Sequence, residues 1–439
     1  MLNYQQTVEY LYASTPVFEK IGAGAYKEGL SNTLALDQHL SHPHRQFKSV
    51  HVAGTNGKGS VSHTIAAILQ SAGYKVGLYT SPHLVDFRER IRVNGECIDE
   101  QSVVDFVARH RAFFEPLHPS FFELTTAMAF DYFAREGVDI AVVEVGLGGR
   151  LDCTNIITPL LSVITNISLD HTQFLGNTLA EIASEKAGII KSGIPVVIGE
   201  SCEETRPVFE QTAARMCAPI LFAEDHPMVV SAEHTTPNQI TYHTEAYGNI
   251  TGELCGDYQI KNANTILAAV AQLQSAGISI SETAIRTGFA HVCQLTGLLG
   301  RWQLLGERPT VVCDTGHNVG GWQWLSRQLN AQPCHQLRIV FGMVDDKDIN
   351  TVTDLLPRHA IYYFTRATTK RAIDEQRVMD IGCSKGLIGK SYPSVIEAYR
   401  SAINESEADD FIFVGGSSYV VADLLSALQN DAACQNDTP

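Results

Sequence analysis

The segment HVAGTNGKGS, His51 to Ser60, sets glycines, a lysine and a hydroxyl between an apolar run and a long amphipathic stretch. Glycines let backbone N–H groups converge on phosphate oxygens, and the helix N-terminus that follows adds a favourable dipole. Gly54, Thr55, Asn56, Gly57, Lys58, Gly59 and Ser60 therefore form a candidate phosphate loop for ATP. In it Lys58 reaches the terminal phosphates and the Ser60 hydroxyl sits where Mg2+ binds. The loop departs from the usual GxxxxGK[ST] form, because Gly59 separates Lys58 from Ser60 and the leading part is short. A glycine-rich turn that binds nothing is the plain alternative, and the order of strand, loop and helix weighs against it.

ATP chemistry needs a divalent cation across the β- and γ-phosphates, and Mg2+ takes hard oxygen ligands. Ser81 follows the run KVGLYT, Glu144 lies at the end of DIAVVEV, and His171 follows LSVITNI. Open α/β sheets collect ligands at strand ends, so these three residues fit one metal site near the phosphate loop. Taken singly, each also has an ordinary reading: a Ser-Pro turn, a partly buried acid and a turn histidine. Lys186, in SEKAGII, reads by pattern as a solvated helix lysine beside Glu185. GLGGR (146–150) follows a buried run but lacks a full GxGxxG, and the LDCTN after it does not read as the opening of a helix. A loop shaped to hold substrate is the better reading.

Positioning such residues requires strands that end where the chemistry sits. SVHVA (49–53), KVGLYT (75–80), DIAVVEV (139–145), LSVITNI (161–167) and IPVVIG (194–199) read as buried strands. VSHTIAAILQSAG (61–73) and LTTAMAFDYFAREG (124–137) read as amphipathic helices between them. This alternation predicts a mainly parallel sheet with helices on both faces. From Met228 to Leu254 the pattern shifts to short Thr- and His-rich segments, an expected antiparallel side sheet, followed by a helix over 261–277. A second strand–helix series holds TVVCD (310–314), LRIVFG (337–342), AIYYFT (360–365) and DFIFVGG (410–416). The expected fold class is α/β: a P-loop mononucleotide-binding N-terminal domain with a mainly parallel sheet, residues 1–296, and a smaller Rossmann-like C-terminal domain, residues 297–439.

The 439 residues suit two or three domains, and 44% hydrophobic with 18% charged residues is an ordinary globular balance. The formal net charge of -16, from 32 Lys+Arg against 48 Asp+Glu, argues against a general nucleic-acid binder. An anionic substrate must be held by a local positive site. No signal-peptide pattern opens the chain, and no run approaches the ~20 apolar residues of a membrane span. The ten cysteines are scattered, with no CxxC pair, which fits a reducing compartment. The expectation is a soluble cytoplasmic protein acting on small molecules, with no membrane or nucleic-acid partner.

GTNGKGS resembles the nucleotide loop of the Mur ligase superfamily, in its folylpolyglutamate and dihydrofolate synthase branch. SPHL (81–84), FRERI (87–91), ELTTAMAF (123–130), EVGLGGRLDCTN (144–155) and SLDHTQFLGNTLAEIASEKAGIIK (168–191) resemble the same branch. So do YQIKNA (258–263), GRWQ (300–303) and DTGHN (314–318), in order over most of the chain. DTGHN departs from the commoner DGAHN followed by Pro, since Thr315, Gly316 and Val319 stand there, while Asp, His and Asn are kept.

The resemblance implies an ATP-dependent ligase that adds L-glutamate to dihydropteroate or to folate (poly)glutamates through an acyl phosphate. It implies Mg2+, two ions, held by Ser60, Ser81, Glu144, His171 and a carbamylated Lys186, with Lys58, His171 and Lys186 as the catalytic set. It implies pterin contacts at Phe122, Glu123 and Asp152, Phe122 reading equally well as helix core. Adenine and ribose contacts are implied at Asn262, Arg301, Asp314 and His317, although Arg301 also suits an interdomain salt bridge. AYKEGLSNTLALDQHL (25–40) lies where dual-function members hold dihydropteroate, which tilts the expectation to a bifunctional enzyme; a monomer is the family habit. Two rival readings stand beside this one. A peptidoglycan Mur ligase would carry a UDP-sugar domain before the loop, where only 53 residues precede Gly54 here. A nucleotide-binding protein without turnover would need the loop but not the series of strand-end ligands.

Overall fold

A computed structural model describes residues 2–15 and 29–436. The first four residues of the 25–40 segment lie outside the described residues. The chain divides into two compact units: Met1–Glu233 with Ile240–Glu253 and Gln259–Leu298, and His234–Gln239 with Leu254–Tyr258 and Leu299–Pro439.

In the first unit the strands are β1 (Lys48–Ala53), β2 (Val76–Tyr79), β3 (Ile91–Val93), β4 (Glu96–Cys97), β5 (Ile140–Glu144), β6 (Leu161–Ile164), β7 (Val196–Ile198) and β8 (Ile220–Phe222). They form one sheet in the order β4-β3-β2-β5-β1-β6-β7-β8. All pairs from β2 to β8 are parallel, and only β2–β3 and β3–β4 run antiparallel. The central strands are buried along their length, which is why they read as unbroken apolar runs. Alternate residues serve different cores. Ile140 and Val142 face the core that contains Ile65 and Leu69 of the helix Lys58–Ser71, while Ala141 and Val143 face the one that contains Phe130 of the helix Phe121–Arg135.

The register sets Val52 opposite Glu144 on one side of β1 and Ala53 opposite Ile164 on the other. Strand ends carrying different chemistry thus lie in line. The helix Lys58–Ser71 is buried from Ser60 through Leu69. It is crossed closely by the helix Glu282–Ala290, whose Gly288 leaves so little room that a Cβ would lie 2.7 Å from the Ile68 Cα. The Met228–Leu254 region forms β9 (Val229–Thr236), β10 (Gln239–Thr244) and β11 (Gly248–Gly252), a three-stranded sheet with β10 and β11 antiparallel. A side sheet was the expectation there.

The second unit contains β12 (Gln303–Glu307), β13 (Thr310–Asp314), β14 (Leu337–Phe341), β15 (Ile361–Thr365), β16 (Ile388–Tyr392) and β17 (Phe411–Gly415), ordered β12-β13-β17-β14-β15-β16. All its pairs are parallel except β12–β13. Both edge strands escaped the sequence reading. β16 has no fully buried position and Ile388 is 70% exposed, so no apolar run marks it. No helix among the described residues is long and apolar enough to cross a membrane.

Candidate active site

β1 ends at Ala53, and the chain turns at once through Gly54 with φ +147. A Cβ on Gly54 would lie 1.8 Å from Thr165 Oγ1, so only glycine fits. The loop is tied down from the end of β6. The Asn56 N–H donates to Asn166 Oδ1 at 3.0 Å, and Thr165 Oγ1 donates to the Asn56 carbonyl at 2.5 Å. Gly57, φ +84, caps the helix Lys58–Ser71, and a Cβ there would meet Asn262 Oδ1 at 2.3 Å.

Lys58 Nζ donates to the carbonyl oxygens of Gly54 and Thr55, both at 3.1 Å. Lys186 Nζ also donates to the Gly54 carbonyl, at 2.9 Å. Lys186 is 4% exposed, which corrects the reading of a solvated helix lysine. Its helix, Leu179–Ala187, starts on a Thr178–Glu181 capping box and buries Ile182, Ala183, Lys186 and Ala187. That spacing marks one face, and it was available in the sequence as a lysine on an apolar stripe. Burial first and the Lys58 charge second lower the Lys186 pKa to about 7, against the opposing pull of Asp170 and Asp152.

Ser60 is buried, and its Oγ accepts from Gln259 Nε2 at 3.0 Å. Gln259 Oε1 in turn accepts from Asn262 Nδ2 at 2.8 Å. Asn262, which lies against Gly57, is thus also linked to Ser60 through Gln259, a residue the sequence reading passed over although it stands within YQIKNA. Glu144 is buried as the last residue of β5, and Ser81 is half-buried just past β2. His171 has a left-handed backbone at φ 50, and its N–H donates to Asp170 Oδ1 at 2.8 Å. Asp170, Asn166 and Thr165 were likewise missed. All three lie just past β6, where the strand-end rule already pointed. The four consecutive strands β2, β5, β1 and β6 thus deliver Ser81, Glu144, the phosphate loop and His171 at their C-terminal ends.

The donor set fits a hard divalent cation. Ser60 Oγ accepts only one described hydrogen bond, from Gln259, and so retains a lone pair, and Glu144 supplies a buried carboxylate at the neighbouring strand end. Lys186 as a bare amine offers no anionic oxygen.

The expected pterin contacts have structural duties of their own. Phe122 is half-buried, tilted against Tyr79 with ring centroids 5.7 Å apart, and its ring lies where a Cβ on Gly146 would go. Glu123 closes a capping box: Oε2 accepts the Ser120 N–H at 2.6 Å, and its own N–H donates to Ser120 Oγ at 3.2 Å. Asp152 accepts from the N–H groups of Leu147 and Thr154, both at 2.9 Å, and from the Thr154 hydroxyl. Burial raises its pKa against those bonds. Asp152 also caps a 3-10 turn, Cys153–Ile156, so LDCTN does open a short helical turn, contrary to the expectation.

In the second unit Asp314 ends β13. Its Oδ2 accepts from Tyr258 Oη at 2.6 Å and the Trp302 N–H at 2.8 Å, and its Oδ1 from the Gly316 N–H at 2.7 Å. Burial raises its pKa, and Arg301 counters. Arg301 donates to the Gly300 carbonyl at 3.2 Å and to the Thr315 hydroxyl. His317 Nδ1 donates to the Thr315 carbonyl at 3.0 Å, which fixes the tautomer, and Asn318 caps the next helix through the Gly321 N–H.

A phosphate loop backed by a buried lysine, on a mainly parallel sheet and followed by a second parallel-sheet unit, defines an ATP-dependent ligase of the Mur type. The Mur ligase middle domain matches residues 52–271, and the Mur ligase glutamate ligase domain matches residues 300–418. The chain is 34% identical over 423 residues to a dihydrofolate synthase/folylpolyglutamate synthase of Bacillus subtilis, covering 92% of this chain and 95% of the relative. It therefore belongs to the dihydrofolate synthase/folylpolyglutamate synthase family. Escherichia coli FolC in complex with DHPP and ADP superposes with a TM-score of 0.82 at 30% identity, over 98% of this chain and 99% of that one. A bifunctional folylpolyglutamate synthase/dihydrofolate synthase with Mn, AMPPNP and L-glutamate bound gives 0.81 at 28%, over 98% of each chain.

Proposed function

We propose that this chain joins the amine of L-glutamate to the carboxyl group of dihydropteroate and of folate (poly)glutamates, at the expense of ATP. The observation that carries the reading is family membership along the whole chain, resting on a phosphate loop with two lysines behind it. A carboxylate is a poor electrophile, so the γ-phosphoryl group passes to it first. Glutamate nitrogen then attacks the acyl phosphate, and phosphate leaves.

In that scheme the N–H groups of Gly54 to Ser60 hold the phosphates, and Lys58 turns from the loop carbonyls to the charge that develops during transfer. Ser60, Ser81, Glu144, His171 and Lys186 would hold two Mg2+ ions, which when bound neutralise phosphate charge. Lys186 serves there as its carbamate. A buried amine with a pKa of about 7 is substantially neutral at physiological pH, the form that adds CO2. Phe122, Glu123 and Asp152 are proposed for the pterin, and Asn262, Arg301, Asp314 and His317 for the adenosine. We place the functional domains at 1–296 and 297–439, and the protein in the cytoplasm as a monomer.

The test supplies ATP, Mg2+ and glutamate with dihydropteroate in one tube and a reduced monoglutamyl folate in another. Product in both is the expected outcome and makes the enzyme bifunctional; product in one assigns the branch. Bound ATP with product in neither overturns the reading in favour of a nucleotide-binding protein.

A further inference from the structure

Apart from the nucleotide site, the chain carries a second group of metal-competent side chains. Asp37, on the helix Ser31–His39, is 6% exposed. Its Oδ2 accepts from His42 Nδ1 and its Oδ1 from His44 Nδ1, each at 2.6 Å. The three ligand-type atoms lie within 4.8 Å of one another. The turn that brings the histidines back is costly: Ser41 and His42 are successive non-glycine residues in the left-handed region, at φ 63 and 57. His44 follows in the 3-10 turn Pro43–Arg45.

Charge bears on what the cluster could hold. Buried carboxylates are ordinarily balanced by a fixed cation or a metal. Among the described residues the Asp37 carboxylate has no Lys or Arg partner, and the two imidazoles are its only ion-pair partners. With both imidazoles neutral, the site keeps a full negative charge out of water.

We propose that Asp37, His42 and His44 form a structural site for a divalent transition ion of the Zn2+ class. Two imidazole nitrogens and one carboxylate suit Zn2+ or Co2+ better than Mg2+. On binding, each imidazole moves its proton from Nδ1 to Nε2, so no proton need be released. The metal accepts a lone pair from each Nδ1 and from one carboxylate oxygen. Bond lengths of about 2.0–2.2 Å require the present 2.6 Å contacts to widen by roughly 0.7 Å. Water completes the shell from the side of His42, whose side chain is 39% exposed against 12% for His44. The ion would pin the turn that leads into β1, independently of the ligase reading.

The test uses the full chain without an affinity tag, stripped of metal and then given saturating Mg2+ to occupy the nucleotide site. Zn2+ is titrated calorimetrically into this chain and into the double variant His42→Gln/His44→Gln. The expected result is one more equivalent bound by the unmodified chain, and a rise in its unfolding temperature that the variant lacks. Co2+ should give a visible four-coordinate absorption band in the unmodified chain alone. Equal stoichiometry and equal Zn2+ response overturn the proposal. So does a stability that answers to acidification but not to metal, which would make the cluster a proton-held clamp. Should the double variant fail to fold, His42→Gln alone, at the exposed corner, is read by the same criteria.

Discussion

Lys58 and Lys186 end on the same atom, the carbonyl oxygen of Gly54, at 3.1 and 2.9 Å. Two ammonium groups on one acceptor repel each other, and the Lys58 charge is accordingly one cause of the lowered Lys186 pKa. Anionic phosphate, or the carbamate proposed for Lys186, would relieve the conflict. Lys58→Met should lower kcat by about 100- to 1,000-fold, the cost of removing one group that stabilises transition-state charge. Lys186→Ala should lose at least as much, and added short-chain carboxylic acids should restore part of it by standing in for the carbamate. Steady-state kinetics with and without such acids decides; a lack of rescue together with an unmodified Lys186 in native mass spectra would count against the carbamate.

Gly57→Ala tests the shape of the loop. The new Cβ would sit 2.3 Å from Asn262 Oδ1, on a residue with φ +84. Nucleotide affinity should fall at least about tenfold, with strain of roughly 1–2 kcal/mol from the backbone alone. Far-ultraviolet circular dichroism should remain unchanged. Titration with a fluorescent ATP analogue reads the affinity.

Gln259→Leu removes the bridge between Ser60 and Asn262 and leaves two buried polar groups without that partner. A loss of about 1–3 kcal/mol in stability is expected. KM for ATP should rise more than KM for the pteroate or folate substrate. Urea unfolding and substrate-varied kinetics separate the two effects. A rise confined to the folate KM would detach Gln259 from the nucleotide.

His51, buried in β1, donates from Nε2 to the Thr154 hydroxyl at 2.8 Å, and that hydroxyl donates onward to Asp152. Burial lowers the His51 pKa to about 3, with Lys191 adding to the shift. An unfolded histidine takes up its proton near pH ~6.5. The folded state therefore has its full stability from this group above about pH 6.5, and loses it by about 1.4 kcal/mol per pH unit as pH falls from there toward the folded value. His51→Asn should remove that part of the slope. Urea midpoints for both proteins at neutral and mildly acid pH check it; parallel slopes would mean that His51 is not the titrating group.

Much of the fold was legible because the inner strands of both sheets are buried on both faces. Burial of that kind demands unbroken apolar runs such as those of β1, β5 and β14. The edges were not legible. β3, β4, β12 and β16 are short or half-exposed, and their pairing depends on a neighbour supplied by the fold.

The sequence by itself marked the candidate phosphate loop and the candidate strand-end donors, since glycine, lysine and acid chemistry is local and its spacing is covalent. Only the tertiary structure decided what those groups are bonded to. Lys186 becomes a buried amine because its helix packs that face inward, and Gln259 joins Ser60 to Asn262 although the chain separates it from Ser60 by 199 positions. Glu123 is drawn into a capping box, and Asp152 into the turn that follows it. Hydrogen bonding and burial act through space, and neither is written in the spacing of residues along the chain.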